Sequence, residues 1–371
     1  MRSPIAVIPP VWALARRWGA VALSIWTDRR SWNLEARRFP PHSGVSIPAI
    51  AHAPLVRLLL EAGIALTPPQ SIFSPAASFA ILRYAEAFAS RSQKLRLVAS
   101  ARDWDPRLTT ILAEEIGVGV AVHLARTFLD VVHVADVAPL LQAGDLAFTT
   151  PPVSPMSPEA RPDYLGVLKS GECILFEAKG AVGTAGRLKK PLEKAEIQVD
   201  NVQFVKHSPR TVNGQPCGDR IVMGTHFCVD GAHAKSETTT ILIDPPGRGR
   251  VGDDFPPSDL PLRVAYAKAF NFGERPLVAD ALVRRVDLSG VFGAPEFEVN
   301  GLSVRAVGPF LWGGVLVIDA RLAAILEQGA RGNLSAAVAE RTNRLQEELS
   351  TLEETPYFVM LNNGIGVLLD G

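Results

Sequence analysis

Apolar positions along this chain change their period where the elements change. Leu108, Leu112, Ile116, Val120, Leu124 and Phe128 recur at helical spacing, so the pattern predicts a long buried helix. Asp105-Pro106 marks its start, with the acid as N-cap and proline at the first helical position. The neighbouring stripe of Glu114, Gly117, Ala121 and Ala125 is small enough to let that helix lie close to a sheet, carrying Glu114 toward it. The pattern then shortens. Val167-Leu168 and Cys173-Ile174-Leu175-Phe176 predict two strands joined by the polar turn Lys169-Ser170-Gly171-Glu172. Pro191 opens a second helix with Leu192, Ala195, Val199 and Val202 as its apolar side, while Lys190, Lys194 and Gln198 fall four apart on another face. Residues 220–228 and 238–244 supply two further strands.

Outside this stretch the signals are coarser. Residues 1–100 are apolar, rich in Arg and Pro, and largely helical by pattern, at 55–60 and 78–88. Residues 244–257 have the Pro-Gly composition of a loop or linker. Residues 246–371 then predict a mixed α/β region. It has helices at 262–270 and 276–285, a strand at 315–318, and helical stretches from Leu322 and from Leu334. It ends in a hairpin over 357–369 turning at Asn363-Gly364. The stripe Leu334, Val338, Leu345 and Leu349 either faces its own core or makes a homodimer.

The chemistry concentrates in residues 161–180. In an extended strand alternate side chains share a face, so Glu177 and Lys179 project the same way with Ala178 between them. A hairpin that brings Asp163 alongside would converge two carboxylates and one ammonium at the end of a sheet. Two unpaired carboxylates that close repel by about 4 kcal/mol at a near-surface effective dielectric. A divalent cation held by oxygen ligands removes that repulsion, and Mg²⁺ prefers such ligands.

With Pro162-Asp163 for its first element and Glu177-Ala178-Lys179 for its second, the segment resembles the PD-(D/E)xK, restriction-endonuclease-like nuclease superfamily. The resemblance covers residues 101–245. It implies a mixed central sheet flanked by helices, in the order helix, three strands, helix, strand, with accessory regions on either side. It also implies a Mg²⁺- or Mn²⁺-dependent phosphodiesterase acting on nucleic acid, most often DNA. Asp163 and Glu177 would ligate the metal, helped by the carbonyl of Ala178, and Lys179 would orient the attacking water and steady developing charge. Relatives carry an acid on the first helix, for which Glu114 is the choice over Glu115. They also carry a polar residue on the second helix, where Gln198 fits. The tyrosine that usually follows there is replaced by Val202. Restriction, repair and anti-phage defence, with a homodimer or a defence-complex partner, are the settings the likeness implies. A non-catalytic nucleic-acid-binding or assembly module on the same fold is the alternative, and an exonuclease would use the same three residues.

Charge and cysteine content narrow the picture modestly. Lys plus Arg equals Asp plus Glu at 38 each among 371 residues, so no overall basic field draws in nucleic acid. A local groove would have to be lined by clusters such as Arg16-Arg17, Arg29-Arg30, Arg37-Arg38 and Arg187-Leu-Lys-Lys190. The glycines Gly180, Gly183 and Gly186 form a loop after the second strand that is not a Walker A loop, lacking Gly-Lys-Ser/Thr. Three cysteines and no disulfide pattern favour a reducing cytoplasm. Cys217, His226, Cys228 and His233 lack the paired spacing of structural zinc sites. The apolar runs at 11–15 and 19–26 are interrupted by Arg16 and Arg17, so neither a signal peptide nor a membrane span is expected there, and no membrane partner.

Overall fold

Strand pairing draws residues 161–180 into the main sheet. The computed structural model describes residues 20–26, 50–70, 84, 87–88, 93–149, 161–169, 171, 173–204, 211–212, 215–216, 219–231, 237–243, 259–286, 288, 295–310, 314–329, 334–352 and 358–368. The 78–88 helix falls mostly outside them. So do the N-terminal Arg pairs, the 244–257 loop, Cys217 and His233.

In chain order the elements begin with β1 (Ala20–Trp26), β2 (Ile50–Pro54), α1 (Leu55–Leu66), α2 (Pro106–Phe128) and β3 (Val131–Asp136). There follow α3 (Val137–Gln142), β4 (Leu146–Phe148), β5 (Tyr164–Leu168), β6 (Cys173–Val182) and α4 (Lys189–Asp200). Next come β7 (Val202–Phe204), β8 (Thr211–Val212), β9 (Gln215–Pro216), β10 (Asp219–Phe227), β11 (Thr239–Ile243), α5 (Leu260–Phe272) and α6 (Pro276–Val283). The last are β12 (Glu296–Val299), β13 (Leu302–Phe310), β14 (Gly314–Asp319), α7 (Ala320–Gln328), α8 (Leu334–Ser350), β15 (Phe358–Met360) and β16 (Ile365–Leu368). The chain is thus a mixed α/β protein.

Seven strands form one mixed sheet in the order β2-β1-β11-β10-β6-β5-β3. β6 runs parallel to β10 and antiparallel to β5, and β1 runs parallel to β11. The apolar run at 19–26, where neither a signal peptide nor a membrane span was expected, therefore supplies a strand of this sheet. A second, antiparallel sheet has the order β12-β13-β14-β16-β15. One apolar core reaches from Val21 to Val367 and draws on both sheets. A smaller cluster packs Leu188, Leu192, Ala195 and Val199 against Val222, Ile241 and Ile243, so α4 buries three of the four residues the pattern assigned to its apolar side; the fourth, Val202, lies beyond the helix in β7 and joins the main core.

α2 begins as expected. The Asp105 side chain accepts the Arg107 N–H at 2.7 Å, with Pro106 in the first turn. Its stripe is buried from Leu112 to Leu124 and half-buried at Phe128, whereas Leu108 in the first turn is 52 % exposed. The glycines explain how the helix fits between two layers. A Cβ on Gly119 would stand 2.3 Å from the Leu58 carbonyl oxygen of α1. A Cβ on Gly180 of β6 would stand 1.8 Å from the Ala113 carbonyl oxygen. Only hydrogen side chains permit contacts that close. With 23 residues α2 is long and apolar enough to cross a bilayer, but 67 % of its most apolar window is buried inside the fold.

α5 packs against β3, the edge strand of the main sheet. Every one of its residues is buried, Arg263, Lys268 and Asn271 included, so each of these polar groups needs a partner. Arg263 donates to Asp259 at 2.7 Å, Asn271 donates to the Pro68 carbonyl at 2.7 Å, and Lys268 pairs with Asp136 of β3. At the C-terminal end, Asn363-Gly364 turns the β15–β16 hairpin, with Gly364 at φ +76°. Leu334, Val338 and Leu345 of α8 lie in the chain's own core, the more ordinary of the two uses expected for that stripe.

Candidate functional site

The β5–β6 hairpin aligns Tyr164 with Phe176, which sets Asp163, one residue earlier, beside Glu177. The Asp163 N–H donates to Glu177 Oε2 at 2.6 Å. Lys179 Nζ donates to the other oxygen, Oε1, from the same face of β6. Glu177 and Lys179 therefore meet on one face of β6, and Asp163 reaches Glu177 through its backbone N–H. The three differ in exposure: the Glu177 side chain is 0 % exposed, that of Lys179 is 23 % exposed, and Asp163 is open to solvent. Ala178 is buried between them, opposite Met223 of β10.

Burial dominates the electrostatics of this group. Loss of water, then the nearby charge of Asp163, pushes the Glu177 carboxyl up from the ordinary 4.5 to about 8, against the opposing pull of Lys179. Ionising Glu177 here is costly without a further positive charge.

The other two expected residues are held differently. α2 crosses β6 immediately after Lys179, and a Cβ on Gly180 would come within 2.8 Å of the Glu114 amide nitrogen. The backbone of Glu114 thus lies against β6 at Gly180, as the small-residue stripe implied, with its side chain exposed. Glu115 is half-buried and accepts a hydrogen bond from Tyr84. Among the described residues no three of His, Cys, Asp and Glu gather into a metal-sized group, so Glu114 does not complete one with Asp163 and Glu177. Gln198 is buried, unlike Lys190 and Lys194 on its expected face, and its Nε2 donates to the Arg161 carbonyl at 3.0 Å. It braces the segment that leads into Asp163.

The fold adds three residues that the sequence reading missed. Asp136, at the end of β3, stands opposite Tyr164 in register, and the adjoining Val137 N–H donates to the Asp163 carbonyl at 3.1 Å. Lys268 of α5 pairs with Asp136 and lies 5.2 Å above the centre of the Tyr164 ring. That ring stacks on Phe176 at 5.3 Å. Burial raises the Asp136 carboxyl, Lys268 opposes the rise, and the charge of Asp163 adds to it. One signal was available in the sequence: Lys268 stands alone in the apolar run Ala265-Tyr-Ala-Lys-Ala-Phe270.

His226 of β10 and Cys228, just beyond the strand, stand with Nδ1 and Sγ 4.0 Å apart. Burial lowers His226 to about 4 and raises the Cys228 thiol. No third ligand joins them among the described residues. Comparison of the chain with family models, with curated proteins and with solved structures returned no match.

Proposed function

We propose that this protein is a divalent-metal-dependent phosphodiesterase of the PD-(D/E)xK type, cutting DNA, with Asp163, Glu177 and Lys179 at its centre. The observation that carries the reading is the buried Glu177 carboxyl at the end of the β5–β6 hairpin, bonded by the Lys179 ammonium on one oxygen and by the backbone N–H of Asp163 on the other. The order of elements agrees with it. α2, β3, β5, β6, α4 and β10 run helix, three strands, helix, strand, with α3 and β4 inserted after β3 and the short strands β7, β8 and β9 after α4.

The donor set fits a hard cation. Two carboxyl groups close enough for their charges to act on one another are offset by a single ammonium, one of them buried and hard to ionise, the other exposed to solvent. Mg²⁺ commonly takes one or two carboxylates and keeps waters or substrate phosphate oxygens in its remaining positions. Asp163 and Glu177 would hold it. Bound there, such an ion supplies charge neutralisation for a phosphodiester and makes a nearby water more acidic.

The protein's own groups do the rest. The Asp163 N–H fixes one oxygen of Glu177, which turns the carboxylate edge toward Asp163. Lys179, partly exposed, can leave Glu177 for the attacking water or for charge developing on the phosphate. Gln198 holds the Arg161 carbonyl and keeps the Asp163 segment in place. The test is calorimetric titration of Mg²⁺ into wild type and Asp163→Asn. At least a tenfold loss of affinity is expected in the variant, and an unchanged affinity removes Asp163 as a ligand.

A further inference from the structure

The Asp136–Lys268 pair lies on the far side of Asp163 from Glu177 and Lys179, and nothing in the proposed chemistry uses it. Its placement is specific. Asp136 is the cross-strand partner of Tyr164, and the next residue, Val137, bonds the backbone of Asp163. Lys268 comes from α5, 132 residues away in sequence, and is 1 % exposed, while the Asp136 side chain is 23 % exposed. The Lys268 ammonium is held between that carboxylate and the face of Tyr164, whose ring is in turn stacked on the residue preceding Glu177.

We propose that Asp136 and Lys268 form a charge-balanced pair that sets how tightly Asp163 and Glu177 hold a divalent cation, making α5 part of the site. The inference rests on the functional reading above. Burying an ion pair gains little over apolar residues of the same volume, so packing alone gives no reason for a lysine here. The field of the pair does reach the site, because Asp136 and Asp163 act on one another electrostatically. While the pair is intact the opposite charge of Lys268 offsets that of Asp136. Removing one member leaves the other acting on the cation. A uniform structural brace would weaken the site whichever member was lost; a charge pair acts with opposite signs.

The experiment is calorimetric titration of Mg²⁺ into wild type, Asp136→Asn, Lys268→Met and the double variant, with a thermal melt of each. Asp136→Asn leaves an unbalanced ammonium beside the site and is expected to weaken Mg²⁺ roughly tenfold, for one charge several ångströms away at an intermediate dielectric. Lys268→Met is expected to bind at least as tightly as wild type. The double variant should return to within about threefold of wild type, as coupled charges require. Should Lys268→Met melt below the assay temperature, Asp136→Asn and the double variant decide by the same rule. Affinity unchanged in Asp136→Asn, or a loss that persists in the double variant, overturns the proposal. Wild type that takes up no Mg²⁺ overturns the functional reading and this inference with it. Wild type that binds, with variants that break the pattern, overturns the inference alone.

Discussion

Replacing Glu177 by Gln should make the metal-free protein more stable at alkaline pH while abolishing its metal binding. The substitution keeps shape and keeps an oxygen to accept the Asp163 N–H, which lies 2.6 Å from Glu177 Oε2. It removes the cost of ionising a carboxyl that is 0 % exposed and beside another acid. Lys179 loses its partner, but at 23 % side-chain exposure it can reach water. The sign follows from linkage. The carboxyl of Glu177 is raised in the folded state, so its contribution is fully present below the ordinary value of 4.5 and is lost as pH rises through about 8. These values differ by about 3.5, and at about 1.4 kcal/mol per pH unit the loss is bounded at about 5 kcal/mol. Unfolding entropy near 2.1 cal/mol/K per residue converts that bound to about 6 °C in Tm for a chain of 371 residues. Thermal melts of both proteins from pH 5 to pH 9 in EDTA measure it. The Tm of the variant should overtake that of wild type progressively between pH 5 and pH 8, and Mg²⁺ should then raise only the wild-type value. A difference that stays flat across the range would refute the reasoning, because Glu177 would not be a carboxylate held against its ionisation.

Other positions test the scaffold around the site. Gly180→Ala sets a Cβ 1.8 Å from the Ala113 carbonyl oxygen, so α2 must lift from β6. A loss of about 3 kcal/mol in urea unfolding is expected, and a loss under 1 kcal/mol would mean the helix is not seated there. Gln198→Ala removes the bond to the Arg161 carbonyl and should cost about 1 kcal/mol of stability with less than a tenfold fall in cleavage. Abolished cleavage at unchanged stability would instead make Gln198 part of the chemistry. Arg341→Met strips Asp319, 2 % exposed, of its two-point partner and also releases Glu348. It should cost about 3 kcal/mol or more in denaturant unfolding, and a near-neutral result would show that Asp319 is satisfied elsewhere.

What was legible in the sequence was local. Asp105-Pro106 announced the start of α2 because an N-cap and a first-turn proline act within a few residues. The alternation through Glu177 and Lys179 set both on one face, and a short hairpin was enough to bring Asp163 to them. Gly117 and Gly180 were visible as small residues, though not as partners across a helix–strand contact. What escaped depended on distant pairing. β1 joins the main sheet through β11, more than 200 residues later, so its apolar run carried no sign of a strand neighbour. Asp136 and Lys268 are brought together only by the packing of α5 on β3, and neither has a motif around it. Glu114 followed the geometry expected of its backbone, but helical phase alone did not settle where its side chain would end.

The claim that matters most is that Asp163, Glu177 and Lys179 cut phosphodiesters with a bound divalent ion. Incubating supercoiled plasmid and linear single strands with Mg²⁺, Mn²⁺ or EDTA, beside Lys179→Ala, tests it most directly. Metal-dependent nicking by wild type that disappears in EDTA and in Lys179→Ala is the result the account predicts. Full cleavage by Lys179→Ala, or no cleavage by wild type with either metal, would contradict it.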